Sequence, residues 1–346
     1  MPPKISLSGI KAREYLLKYP TASENSIAKM LVKDFPHIFT NVNQARMSLS
    51  LQAGKRKNGS GKKCSNPIIR YTDFSRENPM GKPFITNINT KILILDIETA
   101  PLLAFVWGIW EQNIQYQAIQ SDWFILTWSA KWLFEDKVYS AKLTPKEATK
   151  QDDKRIMLSI WNMLNEADIV ITHNGDKFDI KKLNTRFLVH GMNPPLPYIS
   201  IDTLKHNKKQ FAHSSNKLDY INASLGVPRK MEHEGFPMWV KCYKGDPKAL
   251  KTMEDYNVQD VRILEDLYLR IRQWIKPHPN LALHITDEKV EHCPTCTSDN
   301  LKMEKKQYYT KTAGYGLFRC NDCGAVGRQR VTSISKDRAH YLKVSV

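Results

Sequence analysis

The chain has 346 residues, 41% of them hydrophobic, room for two or three soluble domains of ordinary size. Its 52 Lys and Arg against 35 Asp and Glu leave a net charge of +17, which attracts polyanions, nucleic acid first among them. No apolar run approaches the roughly 20 residues that cross a bilayer, and the amino terminus has no continuous apolar stretch of the secretory kind. Six cysteines, four of them in CxxC pairs, suit metal binding in a reducing compartment better than a disulfide framework. A cytoplasmic protein with no membrane partner is expected.

The excess charge sits at the two ends. Residues 1–65 hold 12 basic and 3 acidic side chains and residues 276–346 hold 12 and 7, whereas 66–275 hold 28 and 25. Residues 1–53 read as a helical module. A first helix at 9–19 sits behind Ser8 as cap, with Ile10, Tyr15, Leu16 and Tyr19 at helical spacing. A second, at 24–34, presents Ile27, Met30 and Leu31. A third, at 42–52, follows Thr40 and Asn41 and carries the polar face Gln44, Arg46, Ser48 and Gln52. Three short helices with a polar third resemble a helix-turn-helix, with Arg46 a candidate nucleic-acid contact; a small docking domain is the other reading. Residues 54–87 are a Lys- and Gly-rich linker, GKRKNGSGKK, and an aperiodic extended segment.

Residues 88–276 read as an α/β domain. KILILDIE (91–98) is apolar on both faces, the pattern of a strand inside a sheet covered by helices. FILTWSAKWLF (124–134) and KVYSAKL (137–143) read as a hairpin. A helix at 152–166, the strand DIVIT (168–172) and a helix at 178–190 follow, then the apolar stretch PYISIDTL (197–204). A helix at 216–227 closes at Gly226. Asp246 and Pro247, cap and first helical position, open a long helix toward Ile275. In 277–346, Cys293-Pro-Thr-Cys296 and Cys320-Asn-Asp-Cys323 form the two knuckles of a tetrahedral four-cysteine site for one structural Zn²⁺, with ribbon strands between them. Lys305, Lys306, Tyr308, Tyr309, Lys311 and Arg319 interleave bases with aromatics, as a nucleic-acid grip does; the alternative is a ribbon that folds the tail or docks a protein. Cys64 and Cys242 are read as ordinary small apolar residues.

Four carboxylates interrupt this pattern where a buried strand or helix normally avoids charge. Asp96 and Glu98, two apart in a strand, project to one side. Tyr256 and Asp260, four apart in a helix, share a face from which Glu254 and Asp255 are turned away. Asp179 falls in the first turn of its helix, where the dipole favours a carboxylate. Such acids cannot all ionise in a confined site without cations, and oxygen ligands suit Mg²⁺ or Mn²⁺. A pair of such ions hydrolyses phosphodiesters, with Tyr256 orienting water.

These residues resemble the three motifs of the DEDD exonuclease superfamily, which has a ribonuclease H-like fold. Asp96-Ile97-Glu98-Thr99 matches the first motif. Asn174-Gly175-Asp176-Lys177-Phe178-Asp179 matches the second, close to the form in family B polymerase proofreading domains. Tyr256-Asn257-Val258-Gln259-Asp260 matches the third in its tyrosine form, since the other form needs a histidine at 255 and this chain has Asp255. Stand-alone members, phage-encoded ones included, look most like this chain. The resemblance implies a ribonuclease H-like mixed sheet flanked by helices and 3′→5′ exonuclease activity on single-stranded or frayed DNA. It also implies two Mg²⁺ or Mn²⁺ on Asp96, Glu98, Asp179 and Asp260, in the cytoplasm of a bacterial or phage-infected cell. Thr99, Asn174 and Phe178 match positions near the 3′ end, although Thr99 also suits a turn cap and Phe178 a core. Asp202 is read as either a neighbour of the metals or a cap, and His173 as structural. A replication or repair protein is the expected partner. An RNA exonuclease, a branched-DNA endonuclease and a non-catalytic adaptor are the competing readings.

Overall fold

The computed structural model describes residues 6–19, 24–53, 90–226, 234–286 and 290–344. The expected linker and the extended segment after it, Cys64 included, lie outside these residues. The chain forms two compact units, residues 1–82 with 220–229 and residues 83–219 with 230–346.

In the first unit, α1 (Leu7–Lys18), α2 (Glu24–Asp34) and α3 (Val42–Gln52) bury a shared core of Ala12, Tyr15, Leu16, Ile27, Ala28, Leu31, Phe39, Ala45 and Leu49. Ser6, not Ser8, caps α1, its hydroxyl accepting from the Gly9 amide. Ile10 stays exposed, and Ala12 takes the core position that pairs with Tyr15 and Leu16. α3 buries Ala45, Leu49 and Gln52 at i, i+4 and i+7. Gln52, expected on the polar face, therefore turns inward, where its side-chain carbonyl accepts from Arg13 at 3.3 Å. Arg46 lies on the exposed face.

The second unit begins with β1 (Ile92–Thr99), the short pair β2 (Leu103–Ala104) and β3 (Ile119–Ser121), and then β4 (Ile125–Trp132) and β5 (Tyr139–Lys142). In chain order there follow α4 (Pro145–Lys150), α5 (Lys154–Glu166), β6 (Ile169–Thr172), α6 (Asp179–Val189), β7 (Ile199–Asp202), α7 (Thr203–Gln210), α8 (Leu218–Ser224), whose residues from 220 onward belong to the first unit, α9 (Phe236–Tyr243) and α10 (Pro247–Ile271). The sheet runs β5–β4–β1–β6–β7. β1 pairs antiparallel with β4 and parallel with β6, and β6 pairs parallel with β7. The fold class expected from the sequence is therefore observed, a mixed sheet with helices against it.

Period two explains how β1 is covered on both sides. Leu93, Leu95 and Ile97 share a core with Ile156, Met157, Ile160 and Leu164 of α5 and Leu183 and Phe187 of α6. The opposite face, Ile92 and Ile94 followed by Asp96 and Glu98, belongs to the side on which α10 packs against β1, β4 and β5. Each fully buried Leu or Ile there contributes about 1.5–3 kcal/mol. Fully buried Asp153 joins three elements: it accepts from the Ile125 amide at 2.8 Å, from Arg186 at 2.6 and 2.7 Å, and it lies 2.5 Å from His190 Nε2. Asp246 caps α10 through the Ala249 amide with Pro247 in its first turn, as the sequence predicts. PYISIDTL divides into a strand and a further helix, because Asp202 accepts from the Leu204 and Lys205 amides and starts α7.

At the carboxyl end, β8 (Leu301–Tyr309), β9 (Gly314–Cys320) and β10 (Val326–Arg328) form an antiparallel sheet of order β10–β9–β8, followed by α11 (Lys336–Tyr341). No helix among the described residues is long and apolar enough to cross a membrane.

Candidate metal centre and its surroundings

Ligand oxygens of Asp96, Glu98 and Asp260 come within 4.8 Å of one another. Two come from β1, where a register shift after Glu98 ends the regular pairing with β4; irregularities of this kind re-aim side chains at sites. The third comes from α10, where Asp260 is 2% exposed. Three converging carboxylates are a donor set that fits a hard divalent cation and that repels itself without one.

Helix geometry separates Asp260 from its acidic neighbours, as expected. Glu254 is taken up by Lys142 at 2.7 Å and Ser140 at 2.9 Å, and Asp255 by Lys251 at 2.7 Å. Tyr256, one turn before Asp260, is 6% exposed. Its ring meets Trp239 of α9 edge-on, with centroids 6.4 Å apart.

Two residues to which the sequence assigns no role hold two of the three acids in place. Asn257 Nδ2 donates to Asp96 Oδ2 at 2.6 Å, and Trp239 Nε1 donates to Glu98 Oε2 at 3.2 Å. At 100° per residue, Asn257 and Tyr256 flank Asp260 on the same helix face, so the period offered a signal for Asn257. Nothing in the spacing ties Trp239 to Glu98, 141 positions earlier.

Asp179 stands outside the 4.8 Å group. It opens α6, and its Oδ1 accepts from the Ile97 amide, between the two acids of β1, at 3.1 Å. Burial pushes its carboxyl up to about 7, with the Asp202 charge adding to the shift. Asn174 adopts φ +76°, a conformation that asparagine tolerates, and its amide donates to Asp202 Oδ1 at 2.9 Å. Gly175 is required sterically, since a Cβ would stand 2.2 Å from Thr172 Oγ1. Phe178 packs partly buried on the core, with the Lys182 ammonium 5.6 Å from its ring centre. Thr99 lines a hollow of about 330 Å³ with Ala100, Pro101, Gly235, Phe236 and Trp239. A cavity of about 420 Å³ lies away from the carboxylates, around Ile92, Trp132 and Arg272. Asp202 is a helix cap. His173 bonds Thr203 Oγ1 at 2.9 Å and the Asn216 carbonyl at 3.0 Å, a structural arrangement.

The sulfurs of Cys293, Cys296, Cys320 and Cys323 also lie within 4.8 Å of one another. The distances Cys293–Cys323 and Cys296–Cys320 are 3.7 and 3.6 Å, close to the roughly 3.8 Å edge of a tetrahedron with 2.3 Å Zn–S bonds. Clustering pushes two thiols (Cys293, Cys320) down and two (Cys296, Cys323) up, because neighbouring S–H groups stabilise one thiolate whose charge then opposes the next. The cluster is compatible with a zinc ribbon. Cys242 is buried in the main core. Lys305 and Lys306 are exposed on β8, whereas Arg319 on β9 is paired with Glu304 at 3.1 Å.

Residues 128–272 match the RNase_H_2 model of the RNase_H superfamily. No curated protein matches the chain. Among solved structures, the chain is similar to the family B DNA polymerase from the hyperthermophilic archaeon Pyrobaculum calidifontis, with 16% identity and a TM-score of 0.40. The similarity covers 53% of this chain and 25% of the polymerase, so the match spans about a quarter of that protein. The superfamily match runs from β4 to the end of α10 and takes in Asp179 and Asp260. The segment from β4 through α10, with Asp179 and Asp260, is RNase H-like, and β1 with Asp96 and Glu98 precedes the match.

Proposed function

We propose that this protein is a metal-dependent nuclease that removes nucleotides from the 3′ end of single-stranded or frayed DNA. The observation that carries the reading is the convergence of Asp96, Glu98 and Asp260 within 4.8 Å on an RNase H-like sheet. Asp96, Glu98 and Asp260 would hold two Mg²⁺ or Mn²⁺, with Asp179 as the fourth acid. Such cations supply Lewis acidity and charge neutralisation at a phosphodiester. The side chains of the chain do the remaining work. Asn257 and Trp239 orient Asp96 and Glu98 by hydrogen bonds. Tyr256 orients the attacking water through its hydroxyl, as a hydrogen-bonding group. Thr99, Asn174 and Phe178 form the surroundings of the 3′ terminus. The four cysteines hold a structural zinc, and Arg46, Lys305, Lys306 and Arg319 add positive surface for nucleic acid, in keeping with the net charge of +17. A replication or repair protein is the proposed partner.

Purified protein with Mg²⁺ or Mn²⁺ is expected to shorten a single-stranded DNA labelled at its 5′ end into a ladder that begins at the 3′ end. Asp96→Ala is expected to abolish the ladder while leaving the thermal unfolding midpoint in place. Undiminished shortening by Asp96→Ala, or internal cuts in place of a ladder, refutes the proposal. RNA and branched duplexes run in parallel define the substrate.

A further inference from the structure

Between β1 and β4 the chain makes an excursion whose side chains run against the usual rule of burial. Both of its ends are rooted at the carboxylate end of β1. Thr99 follows Glu98 directly, the Ala100 amide donates to the Phe124 carbonyl at 2.8 Å, and Leu103 and Ala104 of β2 pair with Ser121 and Ile119 of β3. A bond from the Phe105 amide to the Ala118 carbonyl closes the stem. Beyond the stem, residues 106–115 form neither helix nor strand. There Trp107 is 105% exposed, Trp110 80%, Tyr116 77% and Phe105 72%. Glu111 is the sole charged side chain from 101 to 121.

Scattered surface hydrophobics need no explanation, but a contiguous run of this kind marks a binding surface. Its chemistry indicates the occupant. Flat indole and phenol rings in solvent offer π faces, on which nucleic-acid bases stack without regard to sequence. Where the arm returns to the sheet, the Lys182 ammonium lies 3.4 Å from the centre of the Trp123 ring. A cation beside an aromatic surface is the pairing that single-strand grooves use for backbone and base. The reach is suitable too: eight residues from Thr99 to Trp107 span at most about 28 Å, against about 3.4 Å per stacked nucleotide. The tip can therefore serve nucleotides several positions away from the carboxylates.

We infer that this arm is a stacking surface for single-stranded nucleic acid, holding nucleotides upstream of the terminal one through Trp107, Trp110 and their aromatic neighbours. The inference rests on the exonuclease reading for its location and extends it from the cleaved end to the strand behind it.

The test compares the intact protein with Trp107→Ala/Trp110→Ala and Trp107→Phe/Trp110→Phe, using anisotropy of labelled single-stranded DNA in EDTA, so that binding is read without cleavage. Both side chains are exposed, and thermal unfolding of each variant verifies its fold. The alanine pair is expected to weaken binding of a long single strand by about tenfold or more and binding of a trinucleotide much less, while the phenylalanine pair recovers most of the loss. Equal affinity of the alanine pair and the unaltered protein overturns the inference, as does a wild-type protein that binds no single strand. An effect confined to self-association or to a protein partner overturns it as well. If the unaltered protein shortens DNA but binding ignores the substitutions, the arm proposal fails and the exonuclease reading stands. If no DNA is shortened but binding depends on the two tryptophans, the exonuclease reading fails and the arm stands as a binding surface.

Discussion

Asn257→Leu separates a residue's service to the metal centre from its service to the fold. The Asn257 side chain is wholly buried, its Nδ2 donates to Asp96 at 2.6 Å, and its carbonyl oxygen has no hydrogen-bond partner among the described residues. A hydrogen bond to a charged group is worth about 1.5–3 kcal/mol, and a buried, unsatisfied carbonyl costs about 1–3 kcal/mol. Leucine, of nearly the same size, removes both, so the two effects on folding largely cancel. The unfolding midpoint is expected to move by only a few degrees. The metal centre has no such compensation. Asp96 loses the donor that holds its carboxylate in place, and about 1.5–3 kcal/mol corresponds to roughly a 10- to 150-fold change in an equilibrium constant. That range agrees with the roughly 10- to 100-fold losses typical when partners of metal ligands are removed. Calorimetric titration with Mn²⁺ measures the affinity, and the metal concentration needed for half-maximal cleavage measures it independently. Unchanged Mn²⁺ affinity in a folded Asn257→Leu protein refutes the assignment. A large fall in the unfolding midpoint refutes the cancellation.

Three further expectations concern stability and zinc. Gly175→Ala places a methyl 2.2 Å from Thr172 Oγ1, so urea denaturation should show a loss of about 1–3 kcal/mol or more, and an unchanged midpoint would contradict the packing described. His278 is held well below its ordinary value, at about 4, chiefly by burial; its Nδ1–H donates to the Pro279 carbonyl and its Nε2 accepts from the Tyr268 hydroxyl. Because the folded pKa lies below the unfolded value near 6.5, the contribution is complete above about pH 6.5 and is lost as pH falls toward 4. The gap between the two values corresponds to about 3 kcal/mol, and unfolding followed from pH 7 to 4 should be flatter in His278→Gln than in the unaltered protein. Cys320→Ser should lower the bound zinc from one ion per chain toward none, measured by metal analysis after dialysis, and should loosen the ribbon strands that the ion ties together; full zinc retention would speak against the four-cysteine assignment.

Parts of this molecule could be read locally because they obey short periods. The two-residue repeat put Asp96 and Glu98 on one side of a strand, and the helical repeat chose Asp260 over Glu254 and Asp255, which the structure leaves with Lys142 and Lys251. Asp246 and Pro247 marked the start of α10, and CxxC spacing paired the cysteines that gather within 4.8 Å. Other parts escaped the same reasoning. Ser8 reads as the cap of the first helix in sequence, whereas the hydroxyl that accepts from the Gly9 amide is that of Ser6, two residues earlier. Gln52 looked like surface and is core, because the face of α3 is set by what α1 and α2 present to it.

The sequence by itself determined the identity of the acids, the strands and helices that carry them, and the sulfur quartet, because backbone geometry repeats over two or four residues whatever surrounds it. Only the tertiary structure decided which groups meet. Asn257 reaches Asp96 across 161 positions and Trp239 reaches Glu98 across 141, while Asp179 stays outside the 4.8 Å group, buried and bonded to the Ile97 amide. It also decided that the aromatic run after Glu98 stays in solvent, although its hydrophobicity alone suits a core. Hydrophobicity states what water would expel; the shape of the completed sheet and helices determines whether there is anywhere for it to go.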